Sequence, residues 1–244
     1  MTQNLFNWRL LILSLISYSL VSIAAAPSEA LELALDSSNN FKIGDTISVD
    51  VTIDSALSLY GVALDLAYDK DIVSVVDSDE ITVGVQPEIT EGPALDSDGE
   101  VTFLRSALVD QLQGRLVVGN VRAGQVAGID IASNQTIMTI TFKAIAPGSI
   151  EITSQPKTTT LRNGDLRQIP IDSLIGTSIV ITLDPGDIAG NGTIDLTDVI
   201  LALQVLSGFD IGNIKIYSSA DVNGDNRIGV EEAIYNMNYI ANNP

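Results

Sequence analysis

Two stretches near the C-terminus place oxygen-bearing side chains at spacings suited to a metal ion. The clearer one runs Asp221-Val222-Asn223-Gly224-Asp225-Asn226-Arg227-Ile228-Gly229-Val230-Glu231-Glu232. Asp221, Asn223 and Asp225 stand at loop positions one, three and five, and Glu232 closes it at twelve. A hard divalent cation such as calcium takes roughly six to eight oxygens at about 2.3–2.6 Å, and a loop of this spacing supplies them. Arg227 at seven would give only its backbone carbonyl, with the charged side chain turned away, and Gly229 at nine leaves that vertex to a water. Position six, where such a loop turns sharply, carries Asn226 rather than glycine; Asn is the next most tolerant residue of left-handed dihedrals.

A degenerate partner lies 34 residues upstream, from Asp187 to Asp198. Asp187, Asn191, Asp195 and Asp198 fill positions one, five, nine and twelve, Gly192 provides the turn, and Thr193 would bind through its carbonyl. Ala189 at position three has no side-chain oxygen, so this site is expected to be weaker or completed by water. Both loops have Ile at position eight (Ile194 and Ile228), which predicts a short backbone bridge between them with apolar burial. Asp, Asn and Gly also collect in ordinary turns because they tolerate turn geometry. Two such loops in tandem, each followed at once by a helical apolar pattern, favour the ion. The cofactor expected is therefore calcium, as two ions.

Composition narrows the remaining chemistry. The 244 residues include no cysteine and no histidine and carry a formal net charge of −19. That length allows one large domain or two ordinary ones. Without cysteine there are no disulfides or thiolate sites, and without histidine the usual zinc ligand and the usual general base are missing. The acidic balance argues against nucleic acid, whose phosphates would be repelled.

Residues 1–25 read as a signal peptide. Arg9 gives a positive start, Leu10 to Val21 is an apolar run, and small residues follow at Ser22 and Ala24 to Ala26. Pro27 disfavours a cut just before it, so cleavage is expected after Ala24 or Ala25. An uncleaved anchor is the alternative, but nothing basic follows the run to stop transfer. The expected location is secreted, extracellular or at the cell surface, with no membrane span in the mature chain. Extracellular calcium would keep even a weak site filled, at dissociation constants of about 10⁻⁴ to 10⁻³ M.

From Leu31 to Leu183 the pattern has period two. Ile47, Val49, Val51 and Ile53 alternate with Thr46, Ser48, Asp50, Thr52 and Asp54, the mark of a strand with one wet face. Alternation recurs at Val62-Leu64-Leu66, Val101-Phe103, Met138-Ile140-Phe142, Ile150-Ile152 and Ile179-Ile181, with an apolar run over 116–121. Turn clusters separate them, as at Asp96-Ser97-Asp98-Gly99 and Asn163-Gly164-Asp165. Eight or nine strands without helical repeats predict two packed antiparallel sheets, an all-β sandwich of jelly-roll type over residues 28–183.

Three segments add a resemblance. Phe41-Lys42-Ile43-Gly44-Asp45-Thr46-Ile47, then Leu64-Asp65-Leu66-Ala67-Tyr68-Asp69-Lys70-Asp71-Ile72, then Thr139-Ile140-Thr141-Phe142-Lys143-Ala144 ending at Pro147-Gly148, resemble the opening strands, the Tyr-Asp turn and the late Phe-containing strand of bacterial cohesin domains. Beyond Asp184-Pro185-Gly186, each loop precedes a helical pattern. Leu196, Val199, Ile200, Leu203 and Leu206 recur after the first and end at Ser207-Gly208, and Val230, Ala233, Ile234, Met237 and Ile240 recur after the second. Residues 184–244 thus resemble a dockerin, a small all-α module of calcium loops that lack the incoming helix of a true EF-hand. The resemblance implies Asp187, Asn191, Thr193, Asp195 and Asp198 as ligands of one ion, and Asp221, Asn223, Asp225, Arg227 and Glu232 as ligands of the other.

It also implies that partner recognition falls on loop positions ten and eleven, here Leu196-Thr197 and Val230-Glu231. These pairs differ from the Ser-Thr common in cellulosomal dockerins and from each other, which weakens the case for symmetric two-way binding. Leu196 and Val230 as core residues of the helix pair is the competing reading. The function so implied is an exported, non-catalytic adaptor joining cohesin- or dockerin-bearing proteins, or its own copies head to tail, in the setting of extracellular polysaccharide degradation. A carbohydrate-binding sandwich with a structural calcium tail is the alternative. Alternation places most of its aromatic side chains, Tyr60, Tyr68, Phe41, Phe103 and Phe142, inside. Catalysis by paired carboxylates finds little support, because the acids with recognisable spacing are already used by the loops.

Overall fold

The computed structural model describes residues 30–35 and 39–243. The expected signal peptide lies outside the described residues. Fifteen strands precede two helices: β1 Ala30–Leu35, β2 Asn40–Lys42, β3 Thr46–Ile53, β4 Ala56–Ala67, β5 Val73–Val75, β6 Ile89–Glu91, β7 Thr102–Asp110, β8 Arg115–Arg122, β9 Ile129–Ile131, β10 Gln135–Ala144, β11 Gly148–Ser154, β12 Thr160–Asn163, β13 Gln168–Ile169, β14 Ser173–Ile175, β15 Thr177–Thr182, α1 Leu196–Ser207 and α2 Val230–Asn242. That exceeds the eight or nine expected, because several strands have only two to four residues and show no period. Among the described residues no helix is long and apolar enough to cross a membrane.

The strands form two sheets. One runs β14-β1-β3-β10-β5 with β6 also on β10; the other runs β13-β12-β4-β11-β15-β2, with β8 and β9 on β4 and β7 on β8. They are not wholly antiparallel, since β1 pairs with β14 and β2 with β15 in parallel. The central strands carry the core. Ile47, Val49, Val51 and Ile53 of β3 and Met138, Ile140 and Phe142 of β10 meet Leu64 and Leu66 of β4, Leu116 and Val118 of β8, and Ile152 and Ile179 of β11 and β15. Each such side chain contributes about 1.5–3 kcal/mol by leaving water. Tyr68 packs edge-on against Phe142 with ring centroids 5.4 Å apart.

The alternation fails at β7. Phe103 points to solvent, 58% exposed, while Leu104 packs on the core. Val101 and Phe103 put apolar side chains in one phase and Leu104 in the other, and a bulge between Ser106 and Leu108 shifts the register further along.

The outward face of β4 holds a buried acid, Asp65. Its carboxylate takes Arg115 Nε at 2.8 Å and Nη2 at 2.6 Å, and Thr158 Oγ1 at 2.5 Å. The Arg115 hydrogen bonds hold Asp65 below the usual carboxylate range, against the upward push of burial. A depressed folded pKa adds stability above the unfolded value of about 3.9 that is lost as pH falls through the folded one. Asp65→Asn should therefore flatten the loss of stability below about pH 4, read as urea midpoints along an acid series. Leu64→Ala should lower stability by about 2–5 kcal/mol at neutral pH, whereas truncation of the exposed Leu166 should leave the midpoint unchanged.

Candidate metal centre and interaction surfaces

The tail loops fold around their first and last residues. In the first loop Asp187 is buried and accepts N–H bonds from Gly190 (2.8 Å), Asn191 (3.1 Å) and Gly192 (2.9 Å). In the second, Asp221 accepts them from Asn223 (3.0 Å), Gly224 (2.8 Å) and Asn226 (2.5 Å). The sharp turns require left-handed backbone at positions four and six. Gly190 and Gly192 adopt it at φ 67° and 82°, Gly224 and Asn226 at 80° and 60°.

Position twelve repeats a second device. Asp198 accepts the N–H groups of Ala189 (2.8 Å) and Asp195 (2.9 Å), one on each oxygen; Glu232 accepts those of Val222 (3.2 Å) and Gly229 (2.6 Å). Both carboxylates are buried. Burial pushes the Asp198 carboxyl up, with the nearby charges of Asp187 and Asp195 adding to the shift and the two N–H groups opposing it. At Asp221 burial again pushes upward, but the N–H groups of Asn226, Gly224 and Asn223 outweigh it and the net shift is downward. Asp195 also caps α1, accepting from Thr197 N at 2.6 Å, and Gly208 ends that helix at φ 67°.

These residues fit calcium chemically. Asp187 Oδ2, Asp221 Oδ2 and both carboxylate oxygens of Asp198 and of Glu232 each accept one N–H bond, which leaves each a lone pair for an ion. Among the described residues no three carboxylates form a ready-made site. The ion would therefore draw also on Asn191, Asn223 and the carbonyls of Thr193 and Arg227. Its chemistry there would be charge neutralisation of a crowded acidic loop.

The bridge expected between Ile194 and Ile228 is absent among the described residues. The two halves meet instead at the loop entries: Tyr217 N donates to Ile188 O (3.1 Å) and Gly186 N to Ala220 O (2.8 Å). Asn236 of α2, fully buried, donates to Gly186 O at 2.9 Å. Ile188, Val199, Leu201, Ala202, Ala220, Ile228 and Ala233 fill the small core between them.

Helix phase differs from expectation. Leu196, Ile200, Leu203 and Leu206 of α1 are exposed, as are Val230, Ile234 and Met237 of α2. The core reading of Leu196 and Val230 is therefore overturned. Thr197 and Glu231 are exposed beside them.

Sequence reasoning missed a groove on the outer face of the larger sheet. Register aligns two rows across four strands: Phe103, Val121, Gly61 and Arg162 in one, Arg105, Gly119, Ala63 and Thr160 in the next. The small residues in the middle leave a trough of about 470 Å³ between Phe103 and Arg105 on one bank and Arg162 and Leu166 on the other. Glycines inside strands were the available signal.

The tail is seated on the sandwich. Lys42 Nζ pairs with Asp184 Oδ1 at 2.5 Å, which raises the lysine pKa. A Cβ built on Gly192 would stand 2.9 Å from Ile43 O, so the first loop touches the turn after β2.

The two sheets define a β-sandwich. No protein-family model matches the sequence, and no curated protein matches it. Solved structures match the fold. A chain of a type II cohesin-X-dockerin complex from Acetivibrio cellulolyticus is 14% identical over 63% of this chain and 99% of its own, with a TM-score of 0.53. A type II cohesin domain from the cellulosome of the same organism is 17% identical over 64% and 95%, with a TM-score of 0.52. The second type II cohesin module of its adaptor scaffoldin is 14% identical over 63% and 91%, also at 0.52. The fold is cohesin-like, and the share of the chain covered corresponds to the length of the sandwich.

Titration calorimetry checks the loops. Asp221→Ala should abolish the tighter calcium event, and Ala189→Asp should tighten the weaker one about tenfold by restoring an oxygen at position three; heat traces unchanged by both substitutions would contradict the ligand assignment.

Proposed function

We propose that the chain is an exported, non-catalytic adaptor of the cohesin–dockerin type. The sandwich receives a dockerin-type partner, and the tail, organised by two calcium ions, docks on a cohesin-type partner through Leu196, Thr197, Val230 and Glu231. The observation that carries this reading is the exposure of apolar side chains at both helix starts, directly after two acidic loops of the same turn geometry. A surface helix normally turns its apolar stripe inward. Here α1 and α2 keep a second apolar stripe in water, which marks a contact surface.

Calcium acts upstream of recognition. It neutralises the loop carboxylates and fixes the angle at which each helix leaves its loop, so the two stripes are presented together. The cohesin-like fold of the sandwich supports a role in assemblies that degrade extracellular polysaccharide, with the leader of residues 1–25 directing export.

One observation favours a second reading. Phe103 is exposed on the groove beside Arg105 and Arg162, and an aromatic face with flanking donors suits a sugar ring. Affinity electrophoresis through polysaccharide gels tests it, with Phe103→Ala as the control.

Pull-down against cohesin and dockerin modules tests the first. Capture should occur in millimolar calcium, disappear in EGTA, and fall at least about tenfold for Leu196→Asp, since a charge buried in a contact costs several kcal/mol. A chain that captures neither module in calcium contradicts the adaptor reading.

A further inference from the structure

The groove and the helix faces differ in charge in a way that specifies a partner. The chain has 31 acidic and 12 basic residues, yet no acidic side chain lines the groove, while Arg105 and Arg162 do. Arg105 makes no ion pair among the described residues. The two helices are the opposite case: neither contains a Lys or Arg, and Glu231 stands exposed in the first turn of α2. From Asp184 onward nine acidic residues face two basic ones, a balance of −7. An apolar trough with cationic banks and apolar stripes on an anionic body are complementary surfaces.

Both surfaces lie on one polypeptide, but they cannot meet within it. The tail leaves the sandwich at Thr182, beyond the Ile181–Gly148 pair. From that pair β11 runs six residues to the Ser154–Leu66 pair, and β4 runs five more to the Gly61–Arg162 row. At ~3.3 Å per residue this is about 36 Å along the sheet. Asp184-Pro185-Gly186 reaches about 10 Å when extended, and the Lys42–Asp184 pair and the Gly192–Ile43 contact fix the tail at the far end.

We infer that the occupant of the groove is the tail of a second copy of this chain, its α1 and α2 stripes seated between Phe103 and Leu166 and its exposed Glu231 facing the arginine banks. This rests on the adaptor reading and names its partner. Such a contact is heterologous, so every open assembly retains one free groove and one free tail, and growth proceeds head to tail into filaments or closed rings.

Sedimentation velocity of the purified chain tests it with two double variants, Arg105→Glu with Arg162→Glu in the groove and Ile200→Asp with Ile234→Asp on the helices. Circular dichroism and thermal midpoints equal to those of the parent establish that each is folded. The parent should form species larger than a dimer in calcium that dissociate in EGTA. Each variant alone should be monomeric, with association weakened at least about tenfold by like-charge contact. An equimolar mixture should give a dimer and nothing larger, because one intact groove and one intact tail remain. A parent that stays monomeric in calcium while capturing a separate cohesin or dockerin module overturns the second copy and leaves the adaptor reading standing. A parent that neither assembles nor captures a module overturns both. Assembly undiminished in either variant, or a groove whose only loss on Arg105→Glu is polysaccharide retention, overturns the inference as well.

Discussion

The tail depends on two buried carboxylates. Asp198 and Glu232 each hold a backbone N–H from the first turn of their own loop and another from position nine, so loop entry, loop exit and helix start are tied at one point. Taking a carboxylate out of water costs several kcal/mol unless donors or a counter-charge replace the solvent. Two N–H bonds and the positive end of a helix replace part of it. On the proposed reading a cation would supply the rest, beside a small apolar cluster of mostly Ala, Val and Ile. A body of this size buries too little surface to be secure by hydrophobic burial alone.

The loops were legible because their information is local. A turn residue and a helix start fall within twelve positions, and even Asn226 in place of glycine was readable from the left-handed backbone the turn requires. Helix phase was not legible. Around α1 the residues Leu196, Val199, Ile200, Leu201, Ala202, Leu203, Val205 and Leu206 are apolar on almost every side. A helical period with no polar side has no unique phase, so the pattern could not say which stripe goes inward. Packing chose Val199, Leu201 and Ala202, which fit against the small residues of the facing helix and the loop entries.

The sandwich divides in the same way. Strands with a clean period, such as β3, announced both their existence and their inward face. Strands of two to four residues did not, and the parallel edges formed by β2 and β14 depend on pairings more than a hundred residues apart. The groove belongs to this second kind. Gly61, Ala63 and Gly119 are unremarkable in sequence, and only the register of β4 against β8 and β12 stacks them into one trough. Phe103 becomes a groove wall because Leu104 takes the inward position of β7.

Net charge opposes contact between copies of a chain at −19. Screening changes the comparison. At physiological ionic strength charges more than about 8 Å apart hardly interact across solvent, so a contact feels the groups at its own rim and little else. At the groove those groups are two arginines with no acidic side chain in the lining; on the helices it is Glu231, with no Lys or Arg in either helix. Two calcium ions would bring the tail from −7 to about −3, removing charge from the loops without adding a cationic side chain to either helix stripe. The ions would thus reduce general repulsion while leaving the local complementarity intact, so that calcium binding would also make the tail's approach to an arginine-banked sheet favourable.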